Sequence, residues 1–171
     1  VFVSSRGPGS FSGIRVGMST ARAFATAHHK EVMGVSTLEA MALGVSLQEG
    51  WICPVVDAGR QSLYAAVYHY GRDGQSETRV SETLASPMAL EEMLRDIETK
   101  SDFKTPVLMV GSASCQNLIL KKYRWAPAHL SIPRAVHVGL LAVRDMTNAK
   151  ERRPETFQPL YVQLPRAQAK V

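Results

Sequence analysis

The residues from Gly7 to Gly17 carry the strongest chemical signal, because glycines there join an apolar run to a helix-like segment. Backbone amides at such a junction point outward, and the helix dipole favours an anion beside them. A phosphate-binding loop is therefore the first hypothesis. The Walker pattern requires Gly-Lys-Ser/Thr, whereas Gly13 is followed by Ile14 and Arg15. The dinucleotide pattern fails as well, since Ser12 stands where its third glycine belongs.

A second explanation of these glycines is structural, because glycine permits left-handed turns and close helix packing without any ligand. A row of small residues at four-residue spacing predicts a helix stripe nearly free of side chains: Gly13, Gly17, Ala21 and Ala25. Such a stripe lets another backbone come close, from a helix of this chain or of a partner. Arg15 and Arg22 flank the stripe, where they either bind carboxylates of a partner or only solvate the helix.

The other chemistry-bearing residues give weaker signals. The five histidines form no HxxxH or HExxH pair, so the sequence predicts no metal site. Cys53 lies in an apolar run and Cys115 early in a predicted helix, where inert buried thiols are commoner than reactive ones. Asp57 ends a predicted strand before a tight turn, which suits either a phosphate or metal site or an Asx turn. Weak ATP or ADP binding near Gly9, Asp57 and Gly111 therefore stays open.

Composition limits the class of protein. The chain has 171 residues, 45% of them hydrophobic, and a formal net charge of +5, as expected of a folded domain. No apolar run reaches the roughly 18 residues that span a bilayer, so no membrane association is predicted. Two cysteines without a CxxC pair suit a reducing compartment, and the predicted location is cytoplasmic.

The elements that must position these residues begin with an α/β unit. Val1–Val3 has the pattern of a strand whose neighbours lie upstream, so the chain is expected to start within a domain. Apolar spacing predicts a helix from Ser12 to His29 and a short strand at Val32–Val35. Ser36 and Glu39 form a capping box for a second helix that ends near Gly44. A composition shift predicts a lobe boundary near residue 50.

Beyond that boundary the pattern predicts a second α/β unit. Two strands, Trp51–Asp57 and Ser62–Tyr70, pair across the turn Ala58–Arg60, and a polar turn follows at Gly71–Ser76. The remaining predicted elements are a helix opened by Ser86 and Pro87, a strand at Pro106–Val110, helices at Cys115–Lys122 and His137–Met146, and a strand-like run at Leu160–Leu164.

Several motifs together resemble the TsaB family, also called YeaZ. The first is the Gly7–Gly17 loop with its small-residue helix, followed by Gly34–Ala40. Further landmarks follow in the family's order: Asp57–Arg60 with Tyr64–Ala66, then Gly111–Ala113, then Pro159–Val162. The resemblance therefore extends over nearly the whole chain.

This resemblance implies an α/β, actin-like fold (ASKHA, sugar-kinase-like) of two lobes. Residues 1–50 would be the remainder of an incomplete N-terminal lobe, and residues 51–171 the C-terminal lobe, whose last helix can return to the first lobe. The implied role is that of a non-catalytic subunit that binds and activates a TsaD-type threonylcarbamoyltransferase, which modifies the tRNA adenosine next to the anticodon. TsaD-like proteins hold metal with a histidine pair just after the strand corresponding to Val32–Val35, whereas Ser36–Glu39 contains no histidine.

The resemblance also implies partners: a TsaD-like catalytic subunit, a TsaE-like ATPase, a second copy of this chain in their absence, and tRNA indirectly. The predicted partner-binding residues lie on the first helix and the loop before it: Gly9, Phe11, Gly13, Ile14, Arg15, Gly17, Met18, Ala21 and Arg22. Two alternatives stay open. One is an actin-like ATP-dependent phosphotransferase or hydrolase with Asp57 as its acid; the other is a tRNA-binding module that uses the basic residues between 144 and 170.

Overall fold

The computed structural model describes residues 1–46, 49–71, 76–100, 106–118, 123–147 and 157–162. Within these ranges the helices are α1 (Phe11–Ala27), α2 (Thr37–Leu43), α3 (Pro87–Lys100), α4 (Ala113–Leu118) and α5 (Ala135–Thr147), with a 3-10 turn at Ala128–Leu130. The strands are β1 (Phe2–Ser5), β2 (Val32–Val35), β3 (Gly50–Gly59), β4 (Ser62–Tyr70), β5 (Ser76–Ala85), β6 (Leu108–Val110) and β7 (Arg124–Trp125).

The strands form two sheets. β1 and β2 pair in parallel, and the larger sheet has the order β5-β4-β3-β6-β7. In the larger sheet β3, β4 and β5 are antiparallel neighbours, whereas β6 lies parallel to β3 and β7 parallel to β6. This mixture of parallel strands and covering helices is the α/β arrangement that the sequence predicts.

Helices separate and cover the sheets in layers. α1 packs on one face of the small sheet through Ile14 and Met18, and α5 packs on the other face through Leu141. α2 lies between the two sheets, because Leu38 contacts the large sheet while Ala40 contacts the small one. α3 and α4 cover the far face of the large sheet with these buried residues: Leu90, Leu94 and Cys115. The small sheet is thus joined to the large one by the buried side chains of α2.

The first helix forms as its sequence predicts. The Ser10 side chain accepts a hydrogen bond from the Gly13 amide at 3.3 Å, which caps the exposed N–H groups of the first turn. The residues at three- and four-residue spacing are buried: Ile14, Met18, Ala21 and Ala25. The predicted buried face of α1 is therefore confirmed, with its ends shifted by one and two residues.

The hairpin between β3 and β4 is confirmed, but its turn lies further along the chain. β3 continues to Gly59, and the two turn residues are Arg60 and Gln61, with φ angles of 55° and 58°. Two successive positive φ angles are typical of the type I′ turn, whose twist matches that of paired strands. The turn predicted at Ala58–Arg60 is therefore misplaced.

Two further predictions need correction. The strand β5 has no counterpart among the predicted elements, because exposed charged residues such as Glu77 and Arg79 hide the alternation of its inward side chains. The strand predicted at Leu160–Leu164 is absent from its described part, residues 160–162, where the Leu160 amide instead bonds to the Arg6 carbonyl at 2.7 Å. Residues 163–164, and the end of the helix predicted to reach Lys122, lie outside the described residues.

Candidate partner-binding surface

The glycine loop before α1 is held by the chain itself. The Gly7 carbonyl accepts from the Thr37 amide at 2.8 Å, and the Arg6 amide donates to the Val35 carbonyl at 2.9 Å. Gly7 has a φ of 112°, and a Cβ on it would lie 3.0 Å from the Leu160 carbonyl oxygen. Only glycine suits that backbone conformation and that close approach. The loop therefore joins β1, α2 and residues 157–162.

Three of the predicted interface residues are buried inside the chain. The exposed fractions of Ile14, Met18 and Ala21 are 9%, 5% and 9%. Ile14, Met18 and Ala21 pack with Phe157 against the small sheet. A side chain that is already buried offers little surface to a second protein, and the contact of these three residues with a partner stays a prediction.

The small-residue stripe is not one face of the helix. Residues four apart are displaced by about 40° around an α-helix, so the stripe turns by about 120° from its first member to its fourth. Gly13 and Gly17 are accordingly exposed, whereas Ala21 and Ala25 are buried. A Cβ on Gly17 would lie 3.3 Å from the Ser4 hydroxyl oxygen, so part of the stripe also serves packing within the chain.

Both arginines of α1 contact the chain's own C-terminal segment. The Arg15 Nε donates to the Tyr161 hydroxyl at 2.9 Å, and its guanidinium lies 4.1 Å from the centre of the Phe11 ring. Arg22 donates to the Phe157 carbonyl at 3.2 Å, and its guanidinium lies over the Phe157 ring. The arginines therefore fasten residues 157–162 onto α1. Their contact with a partner stays a prediction.

What α1 leaves exposed is an uncharged face. We call this the α1 outer face and define it by five exposed residues: Gly13, Val16, Gly17, Thr20 and Phe24. Val16 is 67% exposed and Phe24 53% exposed, although the Phe24 ring also stacks on Phe2 at 5.9 Å. Apolar side chains without charged neighbours are the composition of interface centres in protein complexes.

Phe11 and Gly9 lie beside this face and not on it. Phe11 is 43% exposed and stacks on the Tyr161 ring at 5.5 Å. Gly9 precedes the helix, where a Cβ would approach the Ile14 side chain at 3.9 Å. Their contact with a partner stays a prediction.

A second exposed apolar face was not predicted. Val136, Leu140 and Val143 are 59%, 53% and 61% exposed, on the side of α5 that points away from the sheets. Their spacing of four and three residues marks one helix face. The sequence shows the apolar spacing of this face. Because apolar residues occur on all sides of the helix predicted at His137–Met146, the sequence does not indicate which side is buried.

The Glu39 carboxylate does not complete the predicted capping box. The Ser36 hydroxyl accepts from the Glu39 amide at 3.3 Å, as predicted, but the carboxylate pairs with Arg144 at 2.7 Å. Arg144 also donates to Ser76 at 3.0 Å and to Asp145 at 2.7 Å, so it joins α2, α5 and β5. Burial raises the pKa of the Glu39 carboxyl above its ordinary value, and the Arg144 contact only partly opposes this.

This network bears on the predicted RNA contact. Arg144 is one of the basic residues proposed to bind tRNA, yet its guanidinium is committed to Glu39, Ser76 and Asp145. The other basic residues of the predicted tail lie outside the described residues: Lys150, Arg152, Arg153, Arg166 and Lys170.

Comparison with known proteins agrees with the motifs. A family model described as "TsaD: tRNA N6-adenosine threonylcarbamoyltransferase" matches residues 1–167. This chain belongs to that family.

Two curated relatives carry the name tRNA threonylcarbamoyladenosine biosynthesis protein TsaB. The protein from Bacillus subtilis (strain 168) is 31% identical over 109 residues, which cover 64% of this chain and 44% of the relative. The protein from Escherichia coli (strain K12) is 31% identical over 94 residues, covering 54% of this chain and 41% of the relative. The matches thus span less than half the length of these relatives, and the predicted resemblance to TsaB is confirmed.

Two solved structures have the same fold. YeaZ from Pseudomonas aeruginosa superposes with a TM-score of 0.71 at 20% identity, covering 94% of this chain and 73% of that one. A protein described as similar to peptidase YEAZ, also from Pseudomonas aeruginosa, gives a TM-score of 0.72 at 19% identity, with coverages of 95% and 74%. The actin-like α/β fold is therefore confirmed.

The residues predicted to bind nucleotide have structural contacts of their own. The Asp57 carboxylate accepts from the Gly59 amide at 2.7 Å, which is the Asx turn weighed as the simpler alternative. A Cβ on Gly111 would lie 2.6 Å from the Val55 side chain, so this glycine allows β6 to pack close to β3. Nucleotide binding at Gly9, Asp57 and Gly111 stays a prediction.

Clusters of metal ligands and membrane-spanning helices are both absent from the described part of the chain. Within it, no three His, Cys, Asp or Glu side chains form a group that would hold a metal ion. No helix in these ranges has the length and apolar character needed to cross a membrane. Both cysteines are buried as free thiols, and burial raises the pKa of Cys53 to about 12.

Proposed function

We propose that this chain is a non-catalytic subunit that binds and activates a TsaD-type threonylcarbamoyltransferase, which modifies the tRNA adenosine next to the anticodon. The observation that carries the proposal is the α1 outer face, an exposed uncharged surface on a chain whose two curated relatives are TsaB proteins. We assign the contact with the TsaD-like subunit to that face.

The start of α2 supports the absence of a transferase site. By the resemblance, TsaD-like proteins carry a metal-binding histidine pair at the position where α2 begins. At that position this chain has Ser36, Thr37, Leu38 and Glu39. Ser36 caps the helix, Leu38 is fully buried, and Glu39 is paired with Arg144. These side chains serve the fold, and none is a histidine that would ligate a metal.

The α1 outer face suits a partner helix for a steric reason. Gly13 and Gly17 lie on the same side as Val16, so a partner backbone can approach between the apolar side chains. Burying Val16 and Phe24 from their exposures of 67% and 53% would contribute about 1–2 kcal/mol each. Two such residues form an interface centre, around which neighbouring contacts exclude water.

The first experiment is co-purification of the tagged chain with the TsaD-type protein of the same genome. Val16→Arg loses apolar burial and places a charge at the proposed centre, so we expect the Kd to rise at least tenfold. Val16 is a cleaner site than Gly17, whose added side chain would also press on Ser4. The matched control is Val136→Arg on α5, at a valine that is 59% exposed.

Unchanged binding of Val16→Arg would refute the assignment to α1. Loss of binding in Val136→Arg alone would place the contact on the exposed face of α5. The activating role is tested by the transfer rate of the TsaD-type enzyme with and without this chain, and transfer by this chain alone would refute the non-catalytic role.

The other predicted partners are part of the same proposal. In the absence of the enzyme we expect two copies of this chain to pair through the α1 outer face, because an isologous contact uses one surface twice. Light scattering should then show a dimer that Val16→Arg dissociates. We further propose that a TsaE-like ATPase joins the complex and that tRNA contacts it through the TsaD-like subunit.

A further inference from the structure

A polar cavity of about 290 Å³ lies between the two sheets. Arg6, at the end of β1, and Ser36, at the start of α2, line it from the side of the small sheet. Glu82 and Tyr68 line it from the side of the large sheet, with Thr78 at the exposed rim. Its volume is at the lower end of the range for small-molecule sites, so the cavity fits a ligand of only a few heavy atoms.

Arg6 places a positive charge on the cavity wall and makes no ion pair within the described residues. The Arg6 Nε is shielded from solvent and has no hydrogen-bond partner in the described chain. The backbone on both sides is fixed, since the Arg6 amide bonds to Val35 and its carbonyl accepts from Leu160. A shielded guanidinium nitrogen without an acceptor is costly, and a carboxylate is the acceptor that matches the planar donors of arginine.

Glu82 places a negative charge on the same wall. Glu82 makes no ion pair with any of the described residues. Its Oε1 lies 3.5 Å from the Tyr68 hydroxyl oxygen. That distance is at the long limit for a hydrogen bond to a carboxylate. Tyr68 is 2% exposed, so its hydroxyl is a buried polar group beside Glu82. Arg6 and Glu82 thus face one cavity as opposite charges that do not neutralise each other.

The other two acids of the wall differ from Glu82, because they already have a partner. Glu39 and Asp145 line the cavity, and each is paired with Arg144 at 2.7 Å. Their carboxylates still make the wall acidic on balance, which disfavours a phosphate or another multiply charged anion. A ligand that satisfies both free charges must carry one anionic and one cationic group.

We infer that this cavity binds a small zwitterion of the α-amino acid class. Its carboxylate would accept from the Arg6 guanidinium, and its ammonium would donate to the Glu82 carboxylate. Ser36, Thr78 and Ser81 also line the cavity, and their hydroxyls would meet the remaining polar atoms of the ligand. The inference is independent of the proposed contact with a TsaD-type enzyme.

The test is calorimetric titration of the full chain with free amino acids, each beside its N-acetyl derivative and its primary amide. N-acetylation removes the cation and amidation removes the anion, so we expect both derivatives of a bound amino acid to bind at least tenfold more weakly. Glu82→Gln and Arg6→Gln should each raise the Kd of the free amino acid at least tenfold. The matched controls are Glu77→Gln on the same strand and Arg79→Gln, which pair with each other on the surface and should leave affinity unchanged.

The inference is overturned if none of the common amino acids binds the unmodified chain at up to about 10 mM, the weak end of specific affinity. Equal binding of an amino acid and its two derivatives would overturn it too, and that comparison needs no variant to fold. Binding that survives both Glu82→Gln and Arg6→Gln would place the ligand elsewhere. None of these results changes the expectation for Val16→Arg.

Discussion

Replacing Arg144 with methionine tests the network that joins α2, α5 and β5. The Arg144 guanidinium donates to Glu39, Ser76 and Asp145, and the side chains of both acids are only 18% exposed. Methionine has a similar length and no charge, so Arg144→Met leaves two largely buried carboxylates without a cation. Removing one partner of a buried pair typically costs about 3–5 kcal/mol.

The expected loss here is smaller because the network is not sealed from water. Arg144 is 32% exposed, so we expect a loss of about 2–4 kcal/mol in the free energy of unfolding. For a chain of 171 residues this corresponds to a decrease of roughly 5–15 °C in Tm. The control is Arg79→Met, because Arg79 and Glu77 are 52% and 66% exposed and their pair should contribute under about 1 kcal/mol.

The pH dependence identifies the cause of the loss. Burial already raises the pKa of Glu39 in the folded chain, so the ionised carboxyl costs stability above that pKa and the cost disappears as the pH falls through it. Without Arg144 the pKa of Glu39 should rise further, since a lowering influence is removed. The Tm difference between Arg144→Met and the unmodified chain should therefore be largest near pH 7 and should shrink towards pH 4.

Thermal denaturation from pH 4 to pH 8 measures both effects. A Tm within about 2 °C of the unmodified chain at pH 7 would show that the network adds little to stability. A large but pH-independent loss would show that Arg144 acts through the packing of its methylene groups and not through its charge.

Two other substitutions test local structure by thermal denaturation. Gly7→Ala should lower the free energy of unfolding by about 1–3 kcal/mol, because φ is 112° and the new Cβ would lie 3.0 Å from the Leu160 carbonyl oxygen. A Tm equal to that of the unmodified chain would show that the loop shifts freely. Asp57→Ala removes the bond to the Gly59 amide and should cost about 1 kcal/mol without affecting any ATP turnover. If the chain hydrolyses ATP and Asp57→Ala abolishes that activity, the alternative of an actin-like ATPase gains support and the Asx turn is not the main role of Asp57.

The helices were predictable where one face alone is apolar. Leu90 and Leu94 of α3 are fully buried, as their spacing predicts, and most of the other side chains of that helix are polar apart from the exposed Met88 near its start. The opposite case is α5, where Val136 and Leu141 are equally apolar in the sequence but lie on opposite sides. Periodicity identifies a helix in both, but it identifies the buried side only where polar residues mark the exposed one.

The candidate partner-binding surface was less predictable, because the arginines of α1 contact residues that are far away in the sequence. Arg15 contacts Tyr161 and Arg22 contacts Phe157, at separations of 146 and 135 residues. No local pattern indicates that these side chains turn towards the C-terminal segment. The same holds for Arg6 and Glu82, which only the packing of the two sheets brings to one cavity.

The exposed side of α1 follows from the geometry of the helix once its buried residues are known. Ile14 and Met18 point to the small sheet, and a position two residues from both is displaced by about 160° around the helix and must point outward. Val16 is such a position, and its exposure of 67% is costly for an apolar side chain in water. Because α1 directs its two arginines to residues 157–162 and leaves Val16 uncovered, a partner on this helix would be recognised by shape and apolar contact more than by charge. Binding to the TsaD-type protein should accordingly change little between low and high salt, whereas binding that weakens steeply with salt would indicate a contact through basic residues elsewhere in the chain.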